Sequence, residues 1–131
     1  MTLLHTVVPA APANWITALA PVGDGWFVGT YGAGILRLGA TGRFQTFADL
    51  PGAFVVNPNA MLSTAERIYA GTLDRGLYVY DRFLGRWSNV TSNLPSANVT
   101  ALAVRNGFLY MGTDNGLIKI PERILTSGVR P

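Results

Sequence analysis

The dipeptide Gly-Thr occurs at Gly29-Thr30, Gly71-Thr72 and Gly112-Thr113, 42 and 41 residues apart. Each copy ends a short apolar-aromatic run: Trp26-Phe27-Val28, Ile68-Tyr69-Ala70 and Leu109-Tyr110-Met111. A second run opened by Gly follows each: Gly34-Ile35-Leu36, Gly76-Leu77-Tyr78 and Gly116-Leu117-Ile118. Upstream stand Ala18-Leu19, Ala60-Met61 and Ala101-Leu102, and downstream Gly42-Arg43-Phe44 matches Gly85-Arg86-Trp87. A chain with this many coincident positions is a tandem array, and that bounds its fold more tightly than any composition figure.

The repeating unit reads as four short strands. The first covers about 16–20, 59–63 and 99–104, and the second about 26–30, 67–72 and 108–113. The third covers about 35–38, 77–80 and 117–120, and the fourth about 44–47 and 87–90. Runs of four to six residues rich in Val, Ile, Tyr, Phe and Trp, broken by Gly and Pro, suit strands rather than helices. The turns between first and second strands carry Gly23-Asp24-Gly25 and Asn106-Gly107, residues that tolerate positive φ. Helical signals are weak apart from a turn expected at about 121–125. About 42 residues and four strands per unit is the period of a β-propeller blade. The expected fold is therefore all-β, a β-propeller with three four-stranded blades per chain. A β-solenoid has a shorter period, and a sandwich does not repeat its Gly-Thr so regularly.

The strings Ile16-Thr17-Ala18-Leu19, Trp26-Phe27-Val28-Gly29-Thr30 and Gly34-Ile35-Leu36-Arg37-Leu38 resemble the two-component-regulator propeller repeat. So do Val99-Thr100-Ala101-Leu102, Leu109-Tyr110-Met111-Gly112-Thr113 and Gly116-Leu117. That family places Trp two residues before the Gly-Thr, where this chain has Phe27, Tyr69 and Tyr110. The resemblance covers about residues 14–120 and implies a propeller. It also implies a sensor role, since family members are often periplasmic segments ahead of a membrane helix and a kinase, thought to read glycans or other nutrients. The sequence contains neither helix nor kinase.

Counting strands leads to an assembly. The third unit stops after its third strand, at Lys119-Ile120-Pro121, and a short tail covers 121–131. A spare apolar segment, Leu3, Leu4, His5, Thr6, Val7 and Val8, precedes the first full unit and falls in the register of a fourth strand, Leu4 opposite Trp87. The units are then about 14–56, 57–97 and 98–120, with 3–8 as a ring-closure strand. Three blades are too few to close, since propellers use roughly 4–8. An open array leaves two blade faces and a sheet edge uncovered. Two chains make six blades, whereas three make nine, above the usual range, so a homodimer is favoured over a homotrimer. An excerpt of a longer propeller is the rival reading, against which the full three-blade count with its matched spare strand argues; a natural half-propeller and a designed symmetric array would both produce the pattern.

Composition narrows function by exclusion. With 49% apolar and 13% charged residues the chain is not disordered. No apolar run reaches the roughly 18 residues of a spanning helix. There is no Cys, hence no disulfide, thiolate zinc site or cysteine nucleophile. The N-terminus lacks the basic segment of a signal peptide, so the expected compartment is the cytoplasm if Met1 is the native start and the periplasm if the chain comes from a sensor. Net charge is +3, but the arginines are scattered, and no nucleic-acid partner is expected.

Catalysis is poorly supplied: His5 is the only histidine, and no Ser-His-Asp set, metal constellation or Gly-rich phosphate loop is present. The expectation is a non-enzymatic protein without metal or cofactor. Asp24, Asp74 and Asp114 read as turn residues, with Asp74 and Asp114 at equivalent places after the second strand. Their alternative reading is a carboxylate ring at one mouth of the channel. Phe27, Tyr69 and Tyr110 recur once per unit and read as packing between blades rather than as a stacking platform. Trp15, Tyr31 and Phe54 break the repeat and read as loop aromatics open to a ligand or partner, with Asp74 and Asp114 as polar candidates. Asn89-Val90-Thr91 and Asn98-Val99-Thr100 match the glycosylation sequon and are read as incidental.

Overall fold

A computed structural model describes residues 15–125. Eleven strands in the described residues form three antiparallel sheets, each a meander in chain order. The first is β1 (Ile16–Val22), β2 (Gly25–Thr30), β3 (Ile35–Leu38) and β4 (Phe44–Gln45). The second is β5 (Val56–Ser63), β6 (Arg67–Thr72), β7 (Leu77–Asp81) and β8 (Arg86–Val90). The third is β9 (Val99–Arg105), β10 (Phe108–Thr113) and β11 (Gly116–Pro121), followed by a single 3-10 turn at Glu122–Leu125. The fold is all-β and built of propeller blades. The ring-closure strand expected at 3–8 lies outside the described residues, as does the tail beyond residue 125.

The repeated Gly-Thr has a physical cause at each atom. Thr30, Thr72 and Thr113 donate their hydroxyls to the carbonyls of Gly34, Gly76 and Gly116 at 2.8, 2.7 and 2.8 Å. The same oxygens accept the backbone N–H of Ala33, Arg75 and Asn115, so one threonine closes each turn from second to third strand. Gly29 and Gly71 let the next blade's inner strand approach. A Cβ on Gly29 would stand 2.7 Å from Val56 Cγ1, and one on Gly71 2.6 Å from the Val99 carbonyl oxygen. Inner strands β1, β5 and β9 accordingly run side by side.

Pleating gives each blade two faces. In the first blade Ala20, Phe27 and Arg37 share one face, and Leu19, Val28 and Leu36 the other. Phe27 and Ile35 pack against Ile68, Ala70, Tyr78 and Trp87 of the second blade. The ring of Phe27 meets those of Phe47, Tyr80 and Trp87 at 4.9, 4.9 and 5.7 Å. At the next seam Tyr69, Leu77 and Val79 pack against Val99, Leu109 and Met111. Phe27 and Tyr69 are 1% and 0% exposed, so these repeated aromatics are seam residues, each contributing about 1.5–3 kcal/mol by burial.

Local differences from expectation lie at the outer edge. β4 ends at Gln45 rather than near residue 47, because Phe47 turns away to join the aromatic cluster around Tyr80 and Trp87. Asp49 Oδ2 then accepts the Trp87 N–H at 2.8 Å, tying the connecting loop to the second blade. β5 begins at Val56, earlier than 59, through a bulge in which Asn59 takes φ +58°. The turn glycines expected at positive φ are there: Gly23 at +58° and Gly107 at +80°, with Asn106 at +53°.

Candidate functional site

The loops from second to third strand meet the entries to the inner strands at one end of the blades. In every blade the residue after the Gly-Thr donates its N–H to the residue before the inner strand proper. Tyr31 donates to Trp15, Leu73 to Val55 and Asp114 to Asn98, at 3.0, 3.0 and 3.3 Å. The backbone thus holds three side-chain pairs at equivalent places, and their chemistry differs blade by blade. Trp15 and Tyr31 stack, with centroids 4.5 Å apart and planes inclined by 18°, and both are exposed, at 62% and 48%. Val55 and Leu73 form an aliphatic pair with Leu73 exposed. Asn98 Nδ2 donates to Asp114 Oδ2 at 3.2 Å.

The polar pair continues inward. Asn57, buried at the seam of the second and third blades, donates Nδ2 to Asn98 Oδ1 at 2.9 Å and to the Val99 carbonyl at 2.6 Å. Ser96 accepts the Asn98 N–H at 3.0 Å. Hydrogen bonds from Ser96 first and Asn98 second hold the Asp114 carboxyl below its ordinary pKa, so it is anionic at neutral pH. The end therefore offers an aromatic surface on one blade and an oriented carboxylate two blades away.

Of the five residues expected to face a partner, Trp15, Tyr31, Asp74 and Asp114 are exposed on this end, and Phe54 is not. Phe54 is 5% exposed and stacks obliquely on Tyr78 at 4.9 Å. Its carbonyl accepts the Gly32 and Gly34 N–H groups, and a Cβ on Gly34 would come within 2.7 Å of its ring. A non-repeated loop aromatic is here a plug for the seam, since the long connection from β4 to β5 must itself be anchored. Asp74 and Asp114 are also not equivalent. Asp114 occupies the place of Leu73, and Asp74 sits one position on at φ +67°. Among the described residues no three His, Cys, Asp or Glu side chains gather.

Asn57 and Ser96 escape sequence reading because neither repeats; their only signal is an amide and a hydroxyl beside an inner strand. Both sequon asparagines are engaged, Asn98 as described and Asn89 through Nδ2 to the Arg75 and Leu77 carbonyls.

Fold and sheet order together define a propeller-type all-β protein. No family model and no curated protein matches the sequence. Solved structures do match in fold. The extracellular domain of a B. thetaiotaomicron protein classed as a one component system superposes with a TM-score of 0.71 at 21% identity, over 89% of this chain and 16% of that one. PorZ, a surface component of the type-IX secretion system of Porphyromonas gingivalis, gives 0.62 at 20% over 81% of this chain and 17% of its own. The computationally designed Ika8 protein gives 0.61 at 18% over 81% and 33%. The chain thus spans a third or less of each of these proteins. Among the described residues no helix is long and apolar enough to cross a membrane.

Proposed function

We propose that the chain is a non-enzymatic binding and scaffold module, a propeller segment that closes into a ring with a second copy of itself and holds a ligand or protein partner through the loop end described above. One observation carries this reading. The face that buries Phe27 on the first blade and Tyr69, Leu77 and Val79 on the second is open on the third. There Leu117 is 70% exposed and Tyr110 is half-buried, with Lys119 over the Phe108 ring at 4.3 Å. On the first blade the complementary face is exposed in part: Leu19 and Trp26 are 55% and 42% exposed, while Val28 and Leu36 beside them are buried. Every seam in the chain joins these two kinds of face, so one copy's third blade fits another's first. Lys119 does not oppose this: Arg37 holds the same strand position in the first blade and stays exposed although that face is packed.

A cavity of about 570 Å³ between β8 and β11, lined by Ser88, Val90, Ile118 and Ile120, supports the closing role of 3–8. An extended strand from a second copy would pair with β11 there, its Leu4 at the register Trp87 has in the second blade. Light scattering is expected to give twice the 14.0 kDa chain mass, and deletion of 3–8 to abolish the closed particle. A well-folded monomer of the intact chain would defeat the ring.

The likeness to an extracellular sensor domain favours a second reading, a ligand-binding segment of a two-component-type receptor with a glycan or nutrient ligand. A glycan array probed with the assembled protein and with Trp15→Ala, Tyr31→Ala separates the two. Signal lost on substitution supports the sensor, and no signal from either protein supports the scaffold.

A further inference from the structure

The turn between β7 and β8 holds two apolar side chains in solvent: Phe83 is 95% exposed and Leu84 41%. The blade does not require them, since the matching turn of the first blade is Gly39-Ala40-Thr41-Gly42. The turn is nevertheless fixed. Asp81, 7% exposed, accepts the N–H groups of both Phe83 and Leu84 on Oδ1 at 2.9 Å. Gly85, at φ +68°, donates its N–H to the Asp81 carbonyl at 2.8 Å. Arg82 braces the flank by donating to the Thr64 carbonyl at 2.7 Å. Phe83 is therefore held outward on a rigid convex tip.

The same end of the blades carries exposed Arg43, Arg82, Arg86, Arg105 and Arg123. Exposed Asp24, Asp49 and Glu66 offset them only in part. The opposite end has the reverse balance, Arg75 against Asp74 and Asp114. We propose that this tip docks the protein on an anionic lipid surface, Phe83 and Leu84 entering the headgroup boundary while Arg82 and Arg86 meet lipid phosphates. Charge sets the orientation, basic end toward the bilayer and acidic end away from it. Size favours lipid over protein. A two-residue knob buries a few hundred Å² at most, against roughly 1,200–2,000 Å² for a stable protein interface. A bilayer accepts such a knob without a matching pocket.

Cosedimentation of the full chain with phosphatidylcholine vesicles, with and without about 30% phosphatidylserine, tests this. Binding is expected to the anionic vesicles and to fall as salt rises. Phe83→Ser with Leu84→Ser should lower partitioning at least about tenfold with molar mass unchanged. Arg82→Gln with Arg86→Gln should lower it by about tenfold or more and erase the preference over neutral vesicles. Absence of wild-type binding, or undiminished binding by the serine variant, overturns the proposal. So does a fall in molar mass of the serine variant, which would make the tip a contact between copies.

Discussion

Tyr69 donates its phenolic hydrogen to Glu122 Oε1 at 2.6 Å, joining the middle blade to the turn that follows the third. Arg67 lies 3.9 Å from the same carboxylate oxygen and 3.3 Å from Glu66. Burial pushes the Tyr69 pKa well above its ordinary 10.0; the bond to Glu122 adds to the rise, and Arg67 opposes it. Because the folded value is the higher one, the stabilisation is complete below pH about 10 and is lost as pH rises toward the folded value. Alkaline unfolding followed by circular dichroism should show that decline. Tyr69→Phe should remove this component of the alkaline slope while costing about 1 kcal/mol at neutral pH.

Alanine at two matched glycines separates blade packing from self-association. Gly71→Ala drives a methyl into the Val99 backbone and should cost about 1–3 kcal/mol by denaturant titration. Gly112 meets only Ala101 of its own blade, at 3.2 Å. Gly112→Ala should leave the folded chain near wild-type stability yet reduce its molar mass, because the methyl projects where the inner strand of the proposed second copy would lie.

Asn57 is the polar clasp of the second seam. Asn57→Ala strands the Val99 carbonyl and Asn98 Oδ1 without their donor and should cost about 2 kcal/mol. Asn57→Asp should cost more, since it sets a carboxylate against two acceptors. Thermal melts of the pair rank them.

Ser96 is the main reason the Asp114 carboxyl titrates low. Ser96→Ala should raise the Asp114 pKa toward its ordinary 3.8, read by NMR titration of the side-chain carbonyl. The sign is that of a depressed acid: its contribution is present above the ordinary value and is lost as pH falls through the folded one.

The strands were legible because the features that set them repeat. β6 and β10 occupy the residues the Gly-Thr pattern predicts, since the threonine hydroxyl and the missing glycine Cβ act locally in each blade. What repeats once per blade is visible in sequence, and what happens once is not. Phe54 and Phe47 come from a single long connection, and nothing in their spacing says that one plugs Gly34 while the other caps Trp87. The loop end was legible only in outline. Trp15 and Tyr31 stood out by breaking the pattern, whereas their stacking follows from the Tyr31 N–H bond to the Trp15 carbonyl, a contact between residues 16 positions apart.

The two unlike faces of each blade make the chain directional, as a head-to-tail polymer is. Such a contact does not by itself specify a finite object. It yields a disc when the rotation from one blade to the next divides a full turn, and a helical fibre when it does not. The glycines that set how closely inner strands approach also set that rotation. A single methyl at Gly29 or Gly71 would therefore change more than stability: in the proposed self-assembly it would alter the pitch, and with it whether copies stop at a closed particle or grow into a filament.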